Sequence, residues 1–196
     1  MIKRLFDIAA SFTGIVILLP FFFLFAFLII ITSGFPVFYS QKRAGKNEKD
    51  FTLLKFRTMK KGADTQGLLT VGEKDSRVTA FGYLLRKFKL DELPQLFNVL
   101  IGDMSLVGPR PEVRKYVEMY TAEQKKVLSV KPGITDYASI EYADENALIA
   151  KSEKPEELYI KEIMPAKLRL NLKYIEEQSF LTDLKIILKT IGKILS

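Results

Sequence analysis

The sequence predicts an α+β protein, predominantly α, in which a proline-broken membrane helix, a small β-hairpin and amphipathic helices surround one soluble domain. Three observations carry this. Apolar residues crowd into positions 8–31, whereas the rest of the chain is rich in charge. β-forming runs stand out at 37–39 and 51–59, and helical periodicity dominates from residue 158 onward. With 196 residues there is room for one compact domain and an anchor, placed at 1–35 and 36–196.

The anchor comes first. Between Ile15 and Ile31 the apolar run is broken only by Pro20. At about 1.5 Å rise per residue, positions 8–31 match the roughly 30 Å hydrocarbon core of a bilayer. The run is too long for a cleaved signal peptide, and no small-x-small site precedes Phe35-Pro36. It is apolar on every side, unlike a core helix of a soluble protein. Pro20 removes one backbone hydrogen bond near the middle and predicts a kink; Ser11 and Thr13 offer hydroxyls to freed carbonyls. Lys3 and Arg4 precede the run, and Lys42, Arg43, Lys46 and Lys49 follow it. The positive-inside rule asks for both clusters in the cytoplasm, which a helix bending at Pro20 and leaving by its entry face supplies. A tilted single span with a tolerated proline is the other reading, and these residues leave both open.

In the soluble part, Val37-Phe38-Tyr39 and residues 51–59 form a predicted hairpin around the polar turn at 44–48. Alternation along the second strand puts Phe51, Leu53, Lys55 and Arg57 on one face, and Leu54 and Phe56 on the other. Residues 60–75 read as a polar loop, and 83–89 as a short helix carrying Arg86 and Lys87. Pro94 marks a helix start, Gly102 a stop, and Val107-Gly108-Pro109-Arg110-Pro111 a stiff extended segment. Lys131-Pro132-Gly133 reads as a turn. Residues 158–178 and 180–195 read as two helices. The second sets Leu184, Ile187, Leu188, Ile191 and Leu195 against Lys185, Lys189 and Lys193. A membrane surface and a protein core suit that last pattern equally.

Composition narrows the chemistry. The formal charge of +7 suits phosphates, acidic lipid headgroups or nucleic acid. Zero cysteines and zero histidines exclude disulfides, thiolate metal sites and the usual zinc ligands, along with the commonest general base. Carboxylates, lysines, arginines, hydroxyls or an oxygen-bound hard metal ion remain. Asp91-Glu92 is an adjacent acidic pair just ahead of the helix opened by Pro94, with cations on both sides. A carboxylate at such a terminus is expected to stay ionised, as a nucleophile or a magnesium ligand, while Arg86 and Arg110 offer planar forks to phosphate. Taken alone, simple helix capping explains the acidic pair better.

The string Leu53-Leu54-Lys55-Phe56-Arg57-Thr58-Met59, then Arg86 and Leu90-Asp91-Glu92-Leu93-Pro94-Gln95-Leu96-Phe97-Asn98-Val99-Leu100, closely resembles the bacterial sugar transferase family. Gly102-Asp103-Met104-Ser105-Leu106-Val107-Gly108-Pro109-Arg110-Pro111 and Lys131-Pro132-Gly133-Ile134-Thr135 extend the match in the family's order, over essentially the whole chain. These are small monotopic phosphoglycosyl transferases, which begin the assembly of lipid-linked glycans such as exopolysaccharide. The resemblance implies a re-entrant anchor with its kink at Pro20 and a catalytic domain on the cytoplasmic face of the bacterial inner membrane. It implies transfer of a sugar 1-phosphate from a UDP-sugar to polyprenyl phosphate through an aspartyl-phosphosugar on Asp91, with release of UMP. It further implies Glu92 as a metal or proton partner, Mg2+ held by Asp91 and Glu92, and Lys55, Arg57, Arg86 and Arg110 as phosphate contacts. UDP-sugar, polyprenyl phosphate and membrane lipids are the expected partners; a homodimer is left open and nucleic acid is not expected. After Thr135 many members carry a glycine and then an arginine implicated in substrate binding. Residues 136–146 here have no counterpart of that arginine. A catalytically inactive membrane scaffold is the alternative, against which the retained Asp91 and Glu92 speak.

Overall fold

The computed structural model describes residues 2–63 and 75–195. Most of the loop expected at 60–75 therefore lies outside the described residues. The chain opens with helix α1 (Ile2–Ser33), followed by strands β1 (Phe38–Ala44) and β2 (Asp50–Phe56), which pair antiparallel with Phe38 opposite Phe56 and Ala44 opposite Asp50. Next come α2 (Ala80–Lys87), a 3₁₀ turn over Leu90–Glu92, α3 (Gln95–Ile101) and β3 (Ser105–Val107). Helix α4 (Arg114–Val117) precedes β4 (Gly133–Thr135), which pairs parallel with β3. The rest is helical: α5 (Tyr137–Glu141), α6 (Glu145–Ala150), α7 (Pro155–Leu158), a π turn over Tyr159–Ile163, α8 (Met164–Glu177) and α9 (Phe180–Leu195). The α+β, predominantly α expectation holds, and the hairpin lies where alternation put it.

Helix α1 has 32 residues, about 48 Å at 1.5 Å per residue, and keeps helical hydrogen bonding with Pro20 inside it. Ser11 donates its hydroxyl to the Ile8 carbonyl, not to the Val16 carbonyl that Pro20 leaves without its donor. Phe12, Val16, Phe23, Phe27 and Ile31 are exposed, so the helix is long and apolar enough to cross a membrane and turns most of its surface outward. Its other side lies along the soluble domain from end to end. Lys3 Nζ donates to the Val107 carbonyl at 3.0 Å, and Arg4 Nη2 to the Leu100 carbonyl at 2.9 Å. Midway, the Phe22 ring packs 5.3 Å from Phe56 and 5.6 Å from Phe97. At the far end Arg57 Nη2 donates to the Ser33 carbonyl at 2.7 Å.

The apolar cluster of Phe22, Ile29, Phe56 and Leu85 thus joins anchor to domain, and Phe56 and Leu85 each contribute about 1.5–3 kcal/mol by leaving water. A second cluster, including Tyr116, Tyr159, Ile163 and Leu168, fills the space between α4 and α8. Helix α9 buries Asp183 and Ile186 and leaves Leu181, Leu188 and Ile191 exposed, with the exposed lysines Lys185 and Lys189 beside them. Helix α9 therefore packs one side on the core through Ile186 and Ile187 and turns a second apolar stripe outward.

Candidate active site

Lys55 stands near the end of β2, at the last position where strand alternation still holds. Beyond Phe56 the strand ends, so Arg57 no longer follows the Lys55 face. Arg57 instead caps the carboxyl end of α1 through the Ser33 and Gly34 carbonyls, away from the other predicted site residues. Its placement departs from the phosphate-contact expectation, which extended the alternation one residue too far.

Helix α2 rests on the end of the hairpin because Gly82 has no side chain: a Cβ there would sit 2.1 Å from the Thr58 carbonyl oxygen. Thr79 caps the helix by accepting from Gly82 N, and its own N–H bonds Thr58. The same Thr58 accepts from Arg86 Nε at 2.8 Å, which fixes that guanidinium. Lys89 then adopts a left-handed backbone, φ 55°, an uncommon conformation for a residue with a side chain. The reversal there brings Asp91 and Glu92 to the same wall as Arg86. They lie on the 3₁₀ turn, with Pro94 capping the first turn of α3, and Gly102 ends that helix at φ 104°. Start and stop signals both match the sequence.

Arg110 comes from the other side. Strands β3 and β4 run side by side, and Gly133 comes so near Gly108, just past β3, that a Cβ on Gly133 would lie 2.1 Å from Gly108 N. This contact turns the expected Lys131-Pro132-Gly133 turn into the start of a strand. It also carries Pro109-Arg110-Pro111 towards the acidic pair. Asp136 is fully buried; Oδ2 accepts from Arg110 N at 3.0 Å, and Oδ1 accepts from Ser139 N to cap α5. Within residues 136–146, where the family's arginine has no counterpart, Asp136 does structural work, as its place before a helical run could have signalled.

Lys55, Arg86, Asp91, Glu92 and Arg110 meet on the wall of one cavity of about 790 Å³. Glu92 is the hub: Lys55 Nζ donates to Oε1 at 2.8 Å, Arg110 Nη1 to Oε2 at 3.1 Å, and Arg110 Nη2 to Oε1 as well. Burial alone would raise the Glu92 carboxyl, but Arg110 and Lys55 outweigh it and hold it well below the usual range. The Glu92 carboxylate in turn raises the Arg110 guanidinium, and burial lowers the Lys55 ammonium and the Arg86 guanidinium. Asp91 differs. It is 6% exposed and, among the described residues, forms no ion pair of its own. Burial raises its carboxyl above the usual value despite Lys55, Arg86 and Arg110 nearby. Asp91 lies ahead of the helix itself, for α3 is seven residues long and begins at Gln95.

Two adjacent carboxyls therefore have opposed environments. Glu92 is neutralised and fixed, whereas Asp91 is poorly solvated and unpaired, the condition of a reactive oxygen awaiting a cationic or phosphate-bearing partner. No cluster of three or more acidic, histidine or cysteine ligands occurs among the described residues. The donor set suits magnesium, which takes one or two carboxylates and completes its shell with phosphate oxygens and water.

The remaining cavity wall was largely unforeseen. Pro165 lacks the N–H that would bond the Lys161 carbonyl, and the turn before it opens to a π turn closed by Met164 N–H on the Tyr159 carbonyl. Helix α8 consequently turns Met164, Lys167, Leu168 and Asn171 to the cavity. Lys167 pairs with Glu145 of α6 at 2.6 Å.

The chain belongs to the bacterial sugar transferase family: the family's model matches residues 1–196. It is 41% identical over 201 residues to the uncharacterised sugar transferase EpsL of Bacillus subtilis, covering 100% of this chain and 88% of that protein. It is 36% identical over 203 residues to a UDP-N-acetylgalactosamine-undecaprenyl-phosphate N-acetylgalactosaminephosphotransferase of Aeromonas hydrophila, covering 100% of this chain but 44% of that longer protein. With the UDP-glucose:undecaprenyl-phosphate glucose-1-phosphate transferase of Caulobacter vibrioides it shares 34% identity over 197 residues, 99% of this chain and 70% of the relative.

Proposed function

We propose that this chain transfers a sugar 1-phosphate from a UDP-sugar to polyprenyl phosphate at the cytoplasmic face of the membrane, releasing UMP. The unpaired, buried Asp91 beside the Glu92–Lys55–Arg110 cluster carries this reading. In the first half-reaction an Asp91 carboxylate oxygen forms a bond to the sugar-bearing phosphorus. The bond from that phosphorus to the UMP oxygen breaks, and UMP leaves with the electron pair. In the second, an oxygen of polyprenyl phosphate attacks the same phosphorus, and the Asp91 ester bond breaks to restore the carboxylate. Covalent catalysis divides one displacement between two poorly reactive anions into two assisted ones.

Lys55, Arg86 and Arg110 surround the point where the diphosphate charge would lie, and Glu92 holds two of the three in place. Magnesium would be held by Asp91 or Glu92 together with phosphate oxygens, and supplies neutralisation of the diphosphate. Both ends of α1 bond the same soluble domain, which supports a re-entrant anchor over a span with its ends in opposite compartments. The exposed stripe of α9 supports a domain lying against the headgroups, where a polyprenyl phosphate presents its charge.

The test is direct. Purified enzyme is incubated with magnesium and UDP-sugars labelled in the sugar phosphate, without lipid acceptor. Label on the wild-type protein, absent from Asp91→Asn and released on adding polyprenyl phosphate, is the expected result. Equal labelling of Asp91→Asn, or no label from any of a broad sugar panel, overturns the covalent route.

A further inference from the structure

We infer that Arg43 binds a phosphoryl group in the Asp91 cavity: the UMP phosphate as it leaves, and then the acceptor phosphate that takes its place. The inference rests on the transfer reading and adds to it a cation outside the phosphate contacts already described. In the sequence Arg43 is one of the charges that follow the anchor; in the folded chain it belongs to the site.

The hairpin aims it there. Tyr39 pairs with Lys55 and Arg43 with Phe51, and residues paired across antiparallel strands share a face, so Arg43 stands on the Lys55 side of the sheet. Both cations line the same cavity. Burial lowers the Arg43 guanidinium against the pull of Glu112, and the neighbouring Arg110 charge lowers it further. Even so, 21% of the side chain stays accessible, the same share as for Lys55. A side chain walled in by protein yet still accessible opens on the cavity that it lines.

Its hydrogen bonds leave one end of the fork unused. Nε donates to Gln41 Oε1 at 3.0 Å, and Nη1 donates to the Pro111 carbonyl at 3.2 Å and to Glu112 Oε1 at 3.1 Å. Among the described residues Nη2 has no partner, and unlike Nε and Nη1 of Arg57 it is not enclosed. Glu112 is held in turn by Val113 N at 2.8 Å and by the Tyr159 hydroxyl. The arrangement repeats that around Glu92, where a buried carboxylate fixes cations at the cavity wall. Joining the hairpin to the Pro109-Arg110-Pro111 segment does not require this cation, since Ala44 N already donates to the Glu112 carbonyl at 2.9 Å. A fixed guanidinium with a free N–H edge suits a phosphate oxygen.

The two half-reactions make one such site serve twice. In-line displacement puts Asp91 and the departing UMP on opposite sides of the reacting phosphorus. The acceptor oxygen then attacks from the side that UMP has left. A cation facing the UMP phosphate in the first step therefore faces the acceptor phosphate in the second.

The experiment uses the full chain in detergent, as wild type, Arg43→Gln, Arg43→Lys and Glu112→Gln. UMP affinity is measured by calorimetry, the KM for donor and acceptor from initial rates, and Tm by thermal melt. Arg43→Gln is expected to weaken UMP binding roughly tenfold and to raise the acceptor KM by a similar factor. Arg43→Lys should lose less, because the charge stays while the fork goes. Glu112→Gln breaks the same ion pair, so its Tm should fall as far as that of Arg43→Gln, while most of the UMP affinity remains with the cation still present. Unchanged UMP affinity and KM values in Arg43→Gln overturn the inference, and a loss toward only one of the two phosphates overturns the shared site. Equal loss of UMP affinity in Glu112→Gln also overturns it, leaving Arg43 a structural partner. A wild type that binds UMP but transfers nothing overturns the reaction reading alone, and the variants' UMP affinities still decide the contact.

Discussion

Asp7 and Ser105, 98 positions apart, are joined by a buried 2.9 Å hydrogen bond from the serine hydroxyl to Oδ2. The other carboxylate oxygen accepts from Leu106 N at 3.0 Å, and one turn earlier Lys3 holds the Val107 carbonyl. The first two turns of the anchor thereby grip β3 along its length, and β3 runs directly into Arg110. Asp7→Ala leaves a buried hydroxyl and a backbone N–H without an acceptor. A loss of about 1–3 kcal/mol is expected, read as a lower Tm in detergent. Asp7→Asn keeps one acceptor and should lose less. Because the strand carries Arg110, donor KM should rise with the instability; Asp7→Ala with wild-type Tm and KM would show that this grip is not used.

The two site carboxyls should oppose each other in pH dependence. Burial raises Asp91 above its unfolded value, so the folded state binds a proton more readily than the unfolded chain does. Stability is then highest below the unfolded pKa and falls as pH climbs through the raised folded one. Asp91→Asn removes this penalty and should raise Tm at neutral pH while abolishing transfer, with the Tm gain shrinking towards acid. Glu92 runs the other way. Its folded pKa is depressed, so its contribution is present above the unfolded value and is lost as pH falls through the folded one. Glu92→Gln leaves Lys55 and Arg110 facing each other without their carboxylate and should cost about 3 kcal/mol at neutral pH. Melts of the three proteins from about pH 2 to 8 check both signs, the Glu92 loss falling below its unfolded value and the Asp91 change above its own.

At Gly133 the tolerance is steric. Its absent Cβ would overlap Gly108 N at 2.1 Å and Gly108 O at 2.5 Å, and backbone atoms cannot step aside as a side-chain end can. Gly133→Ala should separate β3 from β4 and destabilise the protein by about 3 kcal/mol or more. Donor binding should fall with it, since Arg110 follows directly on that strand pair. A variant with unaltered melting would refute the close approach.

What the sequence disclosed, and what it withheld, follows from the range of the forces involved. The hairpin, α2, the stop at Gly102 and the two closing helices were legible because alternation, capping and periodicity act within a few residues. The β3–β4 pair was not: each strand has three residues, too few for a period, and they meet through a contact between two glycines far apart in sequence. Lys55, Arg86, Asp91, Glu92 and Arg110 converge as expected, but their linkage through Glu92 is tertiary and leaves no local mark. Arg57 was misplaced because alternation was carried past the strand's end.

The path of α1 through the membrane can be tested chemically, because the chain has zero cysteines and each introduced thiol is unique. Ile2 is 73% exposed and Lys46 is also exposed, so Ile2→Cys and Lys46→Cys should perturb little. If α1 crossed the bilayer, Lys3, Arg4 and Asp7 would lie across the membrane from the domain. The bonds to Val107, Val99, Leu100, Ser105 and Leu106 would all be lost, and two cations would sit on the far side of the membrane, against the positive-inside preference. If α1 dips in and lies against the domain, every one of those bonds survives and the basic clusters at both ends share one compartment. Both cysteines should therefore resist a membrane-impermeant thiol reagent added to intact cells and react once the cytoplasmic side is opened. Labelling of position 2 from outside, with position 46 protected, would establish a span and detach the anchor's first turns from the strand that carries Arg110.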